Sequence, residues 1–209
     1  MSLPERNDKL DVRHPFTRAD ARAAGITVKE LIGWRYQKVF YNLYVSAAVV
    51  ITPQLRARAA LQLANPDSYA SHHTAAELWK LPVPHDDHTH ITVPEHGARL
   101  RRQGVKSHVG QSEAQRTNRA GISVSTPEQT FIDLAAIGLN LVDLVVFGDA
   151  MLKAKLTTIP LLIKTIEGGM ATVPGSLCGR RSCCERAWTR RWRPGCVCLS
   201  SWPDCLSQP

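Results

Sequence analysis

The cysteines of this 209-residue chain are confined to its C-terminal end, and this constrains its fold more than any other feature. All six lie between Cys178 and Cys205, and residues 1–175 contain no cysteine. Three of the five tryptophans lie in the same C-terminal segment. From Ser176 onward the chain also holds six arginines but no lysine, histidine, isoleucine, phenylalanine or tyrosine. So abrupt a change indicates either a separate module or a segment translated out of its original frame.

The cysteine spacing argues against a zinc or disulfide module. Structural zinc sites usually carry paired C-x2-C ligands. No such pair occurs among Cys178, Cys183, Cys184, Cys196, Cys198 and Cys205. A disulfide framework needs an oxidising compartment, whereas the polar first 15 residues do not resemble a signal peptide. We therefore expect neither zinc nor disulfides in this segment.

The genetic code is consistent with a lost reading frame. In the shifted frame, each codon consists of the last base of one residue's codon and the first two bases of the next residue's codon. In that frame the codons of Trp188 and Thr189 specify aspartate, and those of Trp202 and Pro203 specify alanine. With permitted choices at degenerate bases, residues 185–208 re-read as an amphipathic helical segment that starts at Ser-Pro and stops at Gly-Leu-Pro. We therefore predict that residues 173–209 form a frameshifted, unstructured, non-native tail.

The charge of the remaining chain is modest. Residues 1–110 have a net charge of +5 and residues 111–175 of −1, so half of the formal +8 comes from residues 176–209. A basic bias toward the N-terminal half remains, which favours an acidic partner such as nucleic acid. No apolar run approaches the roughly 18 residues of a membrane helix. We expect a cytoplasmic protein that needs no cofactor and contacts no membrane.

Residues 15–52, which follow a flexible arm over residues 1–14, have the pattern of a winged helix-turn-helix. Capping motifs over Thr17–Asp20 and Thr27–Glu30 open two short helices, the first ending at Gly25. The β-forming run Tyr36–Val45 predicts the wing hairpin. The candidate DNA contacts are Arg18, Thr27, Lys29, Trp34, Arg35, Gln37 and Lys38. The alternative is a solvated amphipathic helix with Trp34 in the core.

Residues 53–172 carry a mixed pattern, so the predicted fold class is α+β: a small winged helix-turn-helix followed by a mixed α/β domain. The predicted strands are His90–Val93, Val105–Val109 and Ile122–Ser125. The predicted helices begin at Pro53, at the capping box Thr74–Glu77, at Thr126 and at Ile159, with a further apolar run over residues 131–151 divided near Gly138.

Three further groups of residues are candidates for chemistry. A basic loop is a candidate for phosphate or partner contact, against the alternative of a solvated loop: it contains Arg99, Arg101 and Arg102. The run His85–His90 (HDDHTH) is rich in metal-capable side chains, but a polar loop explains it better, so we assign no metal ligand. Helix caps and surface positions explain Asp133, Asp143 and Asp149. Because no nucleotide-binding, hydrolase or metalloprotease motif is present, we predict no catalytic residue and no enzyme.

Four ordered segments together resemble a known family. They are FTRADARAAGIT, SHHTAAELWKLP, ITVPEHGARLRRQGVKSH and STPEQTFIDLA. Over residues 14–170 the chain resembles the AbiEi-type antitoxins of actinobacterial type IV toxin–antitoxin systems. The resemblance implies transcription regulation by an N-terminal winged helix that binds double-stranded DNA, often the operon's own promoter, and a cognate toxin as a second partner. Residues 27–35 would be the recognition helix and residues 37–45 the wing.

Many proteins of this family continue into a domain that resembles the very-short-patch-repair endonucleases. The re-read tail resembles the opening of that domain, which supports the frameshift. The alternative function is therefore a truncated, catalytically inactive N-terminal part of an endonuclease fusion.

Overall fold

The structure is a computed structural model in which residues 10–110 and 114–170 are described. The predicted tail over residues 173–209 and most of the predicted arm over residues 1–14 lie outside the described residues. Within the described part, helices and two sheets form an α+β fold, as predicted.

The first five elements form a small helix-and-sheet unit. They are β1 (Phe16–Thr17), α1 (Arg18–Ala23), α2 (Val28–Ile32), β2 (Tyr36–Phe40) and β3 (Leu43–Ser46), and the antiparallel strands lie in the order β1-β3-β2. Both predicted capping boxes are present, since Thr17 and Asp20, and likewise Thr27 and Glu30, exchange side-chain and backbone hydrogen bonds. The two helices and the hairpin are confirmed, whereas their assignment as a winged helix-turn-helix stays a prediction.

The remaining elements build a mixed sheet and its helices. They are α3 (Pro53–Leu63), β4 (Tyr69–Ala70), α4 (His72–Trp79), β5 (Thr89–Val93), a 3-10 turn (His96–Ala98), β6 (Val105–Val109), β7 (Arg116–Arg119), β8 (Ile122–Ser125), α5 (Pro127–Ala136), α6 (Leu141–Lys153) and α7 (Ile159–Met170). The sheet order is β6-β5-β4-β8-β7, with β5 and β6 parallel, β4 and β8 parallel, and the other pairs antiparallel.

The predicted start of α4 at the Thr74 capping box is wrong. The helix begins at His72, and Ser71 is the N-cap residue without a side-chain capping bond. The Thr74 hydroxyl instead accepts a hydrogen bond from the His90 backbone N–H at 2.8 Å. The Thr74 hydroxyl, which the local pattern predicted to cap the start of α4, therefore bonds to a backbone N–H of β5 instead.

The hydrophobic core is shared between the hairpin and the main sheet. Phe40 and Leu43 pack in one cluster with Ala59 of α3 and with Ile91 and Val93 of β5. The core therefore crosses the domain boundary predicted between residues 52 and 53. A second cluster joins α4 to α5, α6 and α7. In the described part of the chain, no helix combines the length and apolar character that crossing a bilayer requires.

Candidate functional site

The predicted recognition segment carries an exposed aromatic and cationic face. Trp34 is 83% exposed, so the alternative that places it in the core is wrong. The Arg35 guanidinium lies over the Trp34 ring, 5.5 Å from its centroid. Lys29 is also exposed, on α2. These three side chains are free to meet a partner.

Three other predicted DNA contacts are already engaged within the protein. Arg18 Nε donates a hydrogen bond to the Tyr44 hydroxyl at 3.2 Å. The Gln37 amide donates to the backbone carbonyls of Ser46 and Val49, and Thr27 is bonded to Glu30. These hydrogen bonds stabilise the helices and the hairpin, so we expect these three residues to contribute less to the free energy of DNA binding.

The wing and the basic loop, which the sequence suggested separately, meet at Tyr41. The Lys38 ammonium lies 5.6 Å and the Arg102 guanidinium 5.2 Å from the centroid of the Tyr41 ring. Tyr41 is 59% exposed beside Asn42, whose positive φ of 65° makes the tight hairpin turn. We call the surface formed by Lys38, Tyr41 and Arg102 the Tyr41 basic edge.

The Tyr41 basic edge lines a pocket of about 450 Å³. Arg56 of α3 and Arg101 add two more cations to its wall, and Asp87 adds one carboxylate. Arg99 is not among the lining residues. Sequence reasoning missed Tyr41 and Arg56, because neither belongs to a basic run and only the packing of α3 against the hairpin brings them together.

Four histidines and one aspartate form a second cluster. We define the histidine cluster as His72 and His73 at the start of α4, His90 of β5, His108 of β6, and Asp86 in the loop before β5. Parallel pairing sets His90 opposite Lys106 and Thr92 opposite His108. His90 and His108 are therefore diagonal neighbours on the same face of the sheet.

Hydrogen bonds and ring contacts connect the histidine cluster. His90 places Nε2 at 3.0 Å from Asp86 Oδ2 and Nδ1 at 3.0 Å from His108 Nε2. The His108 ring stacks on His72 with 3.7 Å between centroids. His73 lies 5.0 Å from His90, ring to ring, and its buried Nδ1 has no hydrogen-bond partner.

Burial holds the four histidines of the cluster uncharged at neutral pH. Desolvation, with the neighbouring histidines, lowers the pKa of His72 to about 2 and that of His108 to about 4. Desolvation also lowers the pKa of His73 and of His90, although the Asp86 carboxylate opposes it in both cases. For Asp86, burial alone would raise the pKa, but hydrogen bonds from His88 and His90 outweigh it and lower the pKa.

The sequence indicated a different set of histidines. His85 and His88 are exposed; they bond to Asp87 at 3.1 Å and to Asp86 at 2.8 Å respectively, and neither enters the histidine cluster. Of the run His85–His90, only Asp86 and His90 belong to that cluster. His72, His73 and His108 could not be found from local spacing, since they belong to separate elements.

Among the three acidic residues, the surface interpretation of Asp133 is wrong. Asp143 is paired with the N-cap Asn140 and Asp149 is exposed. The Asp133 Oδ2 atom, by contrast, is buried without a hydrogen-bond partner, while Oδ1 accepts from Gln129 at 2.8 Å. Desolvation raises the pKa of Asp133 to about 6, although the Gln129 bond lowers it.

Replacing this carboxylate should stabilise the protein at high pH. Because the folded pKa lies above the unfolded value of 3.8, the charged Asp133 costs stability progressively as the pH rises from about 4 to 6. We expect Asp133→Asn to raise the free energy of unfolding by about 1–2 kcal/mol at pH 8 and by little at pH 4. Urea unfolding at both pH values measures this, with Asp149→Asn as the exposed control. An equal effect at the two pH values would contradict it.

Comparison with known proteins leaves the family open. No family model matches the chain, and no curated protein matches it at a significant level. The resemblance to AbiEi-type antitoxins therefore stays a prediction from the sequence segments.

Proposed function

We propose that this protein is a cytoplasmic, DNA-binding transcriptional regulator of the antitoxin type, which recognises double-stranded DNA upstream of its own gene. The observation that carries the proposal is the Tyr41 basic edge. Lys38 from the hairpin and Arg102 from a loop about 60 residues away lie at one exposed aromatic ring. Arg56 and Arg101 line the same pocket. Four cations from three segments give the phosphate backbone several contacts at once.

The exposed face of α2 supplies a complementary element. Lys29 lies on the short second helix, and Trp34 and Arg35 lie in the turn that follows it. In winged-helix proteins the second motif helix enters the major groove while the wing contacts phosphate. A cognate toxin remains part of the proposal as a second partner, since the family resemblance implies one.

The test is a gel-shift titration of the full-length protein with its upstream DNA and a shuffled fragment of equal length. We expect Lys38→Ala/Arg102→Ala to weaken binding roughly tenfold or more and to lower the slope of log K against log salt by about 2. Lys29→Ala/Arg35→Ala should also lose affinity. The matched control is Lys153→Ala/Lys164→Ala, which removes two exposed cations from α6 and α7.

Two outcomes would refute the proposal. Unchanged affinity in both basic-edge and α2 double variants would remove these residues from the interface. Equal binding to the upstream and shuffled fragments would show that the protein does not recognise its own promoter.

A further inference from the structure

We propose that His72, His90 and His108 bind one divalent transition-metal ion of the Zn²⁺ class, with Asp86 orienting His90. The three histidines each offer a ring nitrogen within 4.8 Å of the others. His90 Nδ1 and His108 Nε2 are 3.0 Å apart. That distance is close to the roughly 3.3 Å between ligand atoms of a tetrahedral zinc ion with bonds of about 2.0–2.1 Å.

Asp86 gives His90 the correct tautomer for this role. Its carboxylate oxygen lies 3.0 Å from His90 Nε2, which therefore carries the proton and donates it. Nδ1 is left with its lone pair on the side that faces His108. Metal-binding histidines almost always donate their second ring N–H to a carboxylate, a carbonyl or water in this way.

His72 is anchored in a comparable manner. Its Nδ1 atom lies 2.9 Å from the Ser71 hydroxyl, which in turn accepts from the Thr92 hydroxyl at 2.7 Å, so Nε2 is the free ring nitrogen. His72 also has a positive φ of 51°. A non-glycine residue in this region costs about 1–3 kcal/mol and persists where surrounding structure imposes it, often at a functional site.

Ion binding requires a small rearrangement of the rings. The His72 and His108 rings are nearly parallel, with 19° between their planes, so their in-plane lone pairs cannot both point to one ion. His72 must turn out of the stack, and the ion replaces the hydrogen bond between His90 and His108. The His108 proton then moves to Nδ1.

The ligand set selects the metal. Three imidazoles suit Zn²⁺, Ni²⁺, Cu²⁺ or Co²⁺, whereas Mg²⁺ and Ca²⁺ prefer oxygen ligands. Two of the rings are almost completely buried, with His90 0% and His72 6% exposed. The Asp86 carboxylate offsets part of the ion's charge, while Lys106 and Arg99, whose charges reach His108, oppose it.

A second set, His73, Asp86 and His90, also lies close enough to hold an ion. That arrangement would use the Asp86 and His90 atoms that already bond to each other and would leave His90 without a carboxylate partner. It is also less buried, since His73 and Asp86 are both partly exposed. The three-histidine set keeps the supporting hydrogen bond, and we therefore favour it.

The experiment uses the full-length protein with its cysteines alkylated, which removes the thiols of Cys178 to Cys205 as competing ligands. After chelator treatment, Zn²⁺ is titrated by calorimetry and Co²⁺ by visible absorption. We expect one equivalent of metal and a Co²⁺ spectrum without a thiolate charge-transfer band. Asp86→Asn should weaken binding about 10–100-fold, and His72→Gln/His108→Gln by more than about 100-fold.

The matched control is His85→Gln/His96→Gln, which removes two exposed histidines outside the cluster and should bind Zn²⁺ as the parent does. No Zn²⁺ binding by the alkylated parent would overturn the proposal. So would undiminished binding by His72→Gln/His108→Gln, or loss of binding in His73→Gln alone.

Circular dichroism shows whether each variant folds. Should the double variant fail to fold, ring-nitrogen NMR spectra of the alkylated parent decide instead. Zn²⁺ should shift the signals of His72, His90 and His108 and leave those of His85 and His96 in place. Unshifted cluster signals at saturating Zn²⁺ would refute the site.

Discussion

Acidification from about pH 7.5 to 4.5 is expected to destabilise the metal-free protein by several kcal/mol, enough to unfold a domain of ordinary stability. The cause is the histidine cluster, because burial lowers the pKa of each of its four histidines and so favours their neutral form. His72 alone has its pKa lowered to about 2 by burial and by the neighbouring histidines. At pH 4.5 an unfolded histidine is protonated and His72 is not, which contributes about 3 kcal/mol against folding.

The direction of the effect is the same for every member of the cluster. A histidine with a lowered folded pKa binds fewer protons than it does in the unfolded chain, so stability falls as the pH drops below about 6.5. His73, His90 and His108 follow this direction. Asp86 adds to it below about pH 4, because its lowered pKa means that the folded state loses stability on protonating this carboxylate.

Urea unfolding between pH 4.5 and 8, in the presence of a chelator, measures this dependence. His72→Gln/His108→Gln should be less stable than the parent at pH 8. Its free energy of unfolding should also change less with pH, because two of the buried neutral histidines have been removed. His85→Gln/His96→Gln should retain the parent's pH dependence. The raised pKa of Asp133 acts in the opposite direction over this range and offsets about 1–2 kcal/mol of the loss. A parent that is no less stable at pH 4.5 than at pH 7.5 would contradict the buried neutral histidines.

Leu43→Ala is expected to cost about 3–4 kcal/mol and to destabilise the whole described fold. Leu43 is fully buried in β3 and packs in the core that joins the hairpin to α3 and β5. Removing its side chain leaves a cavity between the small sheet and the large one. Because both sheets line that cavity, we expect a single unfolding transition at a lower urea midpoint.

Urea unfolding followed by circular dichroism gives the midpoint and the number of transitions. The control is Val50→Ala, which truncates a side chain that is 79% exposed and should change stability by no more than about 0.5 kcal/mol. Two separate transitions in Leu43→Ala would instead show that residues 15–52 fold as an independent domain, as the sequence pattern suggested.

Local signals in the sequence located most of the regular elements. The capping threonines Thr17, Thr27 and Thr126 each bond a backbone N–H three residues ahead, as predicted. The strands over residues 105–109 and 122–125 have the predicted bounds. Three short strands, β1, β4 and β7, were missed. The two residues of β1 and of β4 are too few to show a period, and the polar run Arg116–Arg119 of β7 has no apolar alternation.

The candidate sites were only partly visible in the sequence. Lys38 and Arg102 were each candidates for contact with an anion, but their shared position at Tyr41 follows from the packing of the hairpin near the basic loop. The composition of the run His85–His90 indicated metal-capable side chains, but the sequence did not show that His72 and His108 lie beside His90. His72 and His108 reach His90 through the start of α4 and the pairing of β5 with β6.

The sequence by itself therefore determined the α+β class, most of the helix starts and the separate basic segments, because caps, turns and hydrophobic periods act between residues a few positions apart. It also set apart the cysteine-rich segment, which lies outside the described residues. Only the tertiary structure decided which side chains meet, since strand pairing and core burial act between residues distant in the chain. The histidine cluster and the Tyr41 basic edge both depend on contacts of that kind.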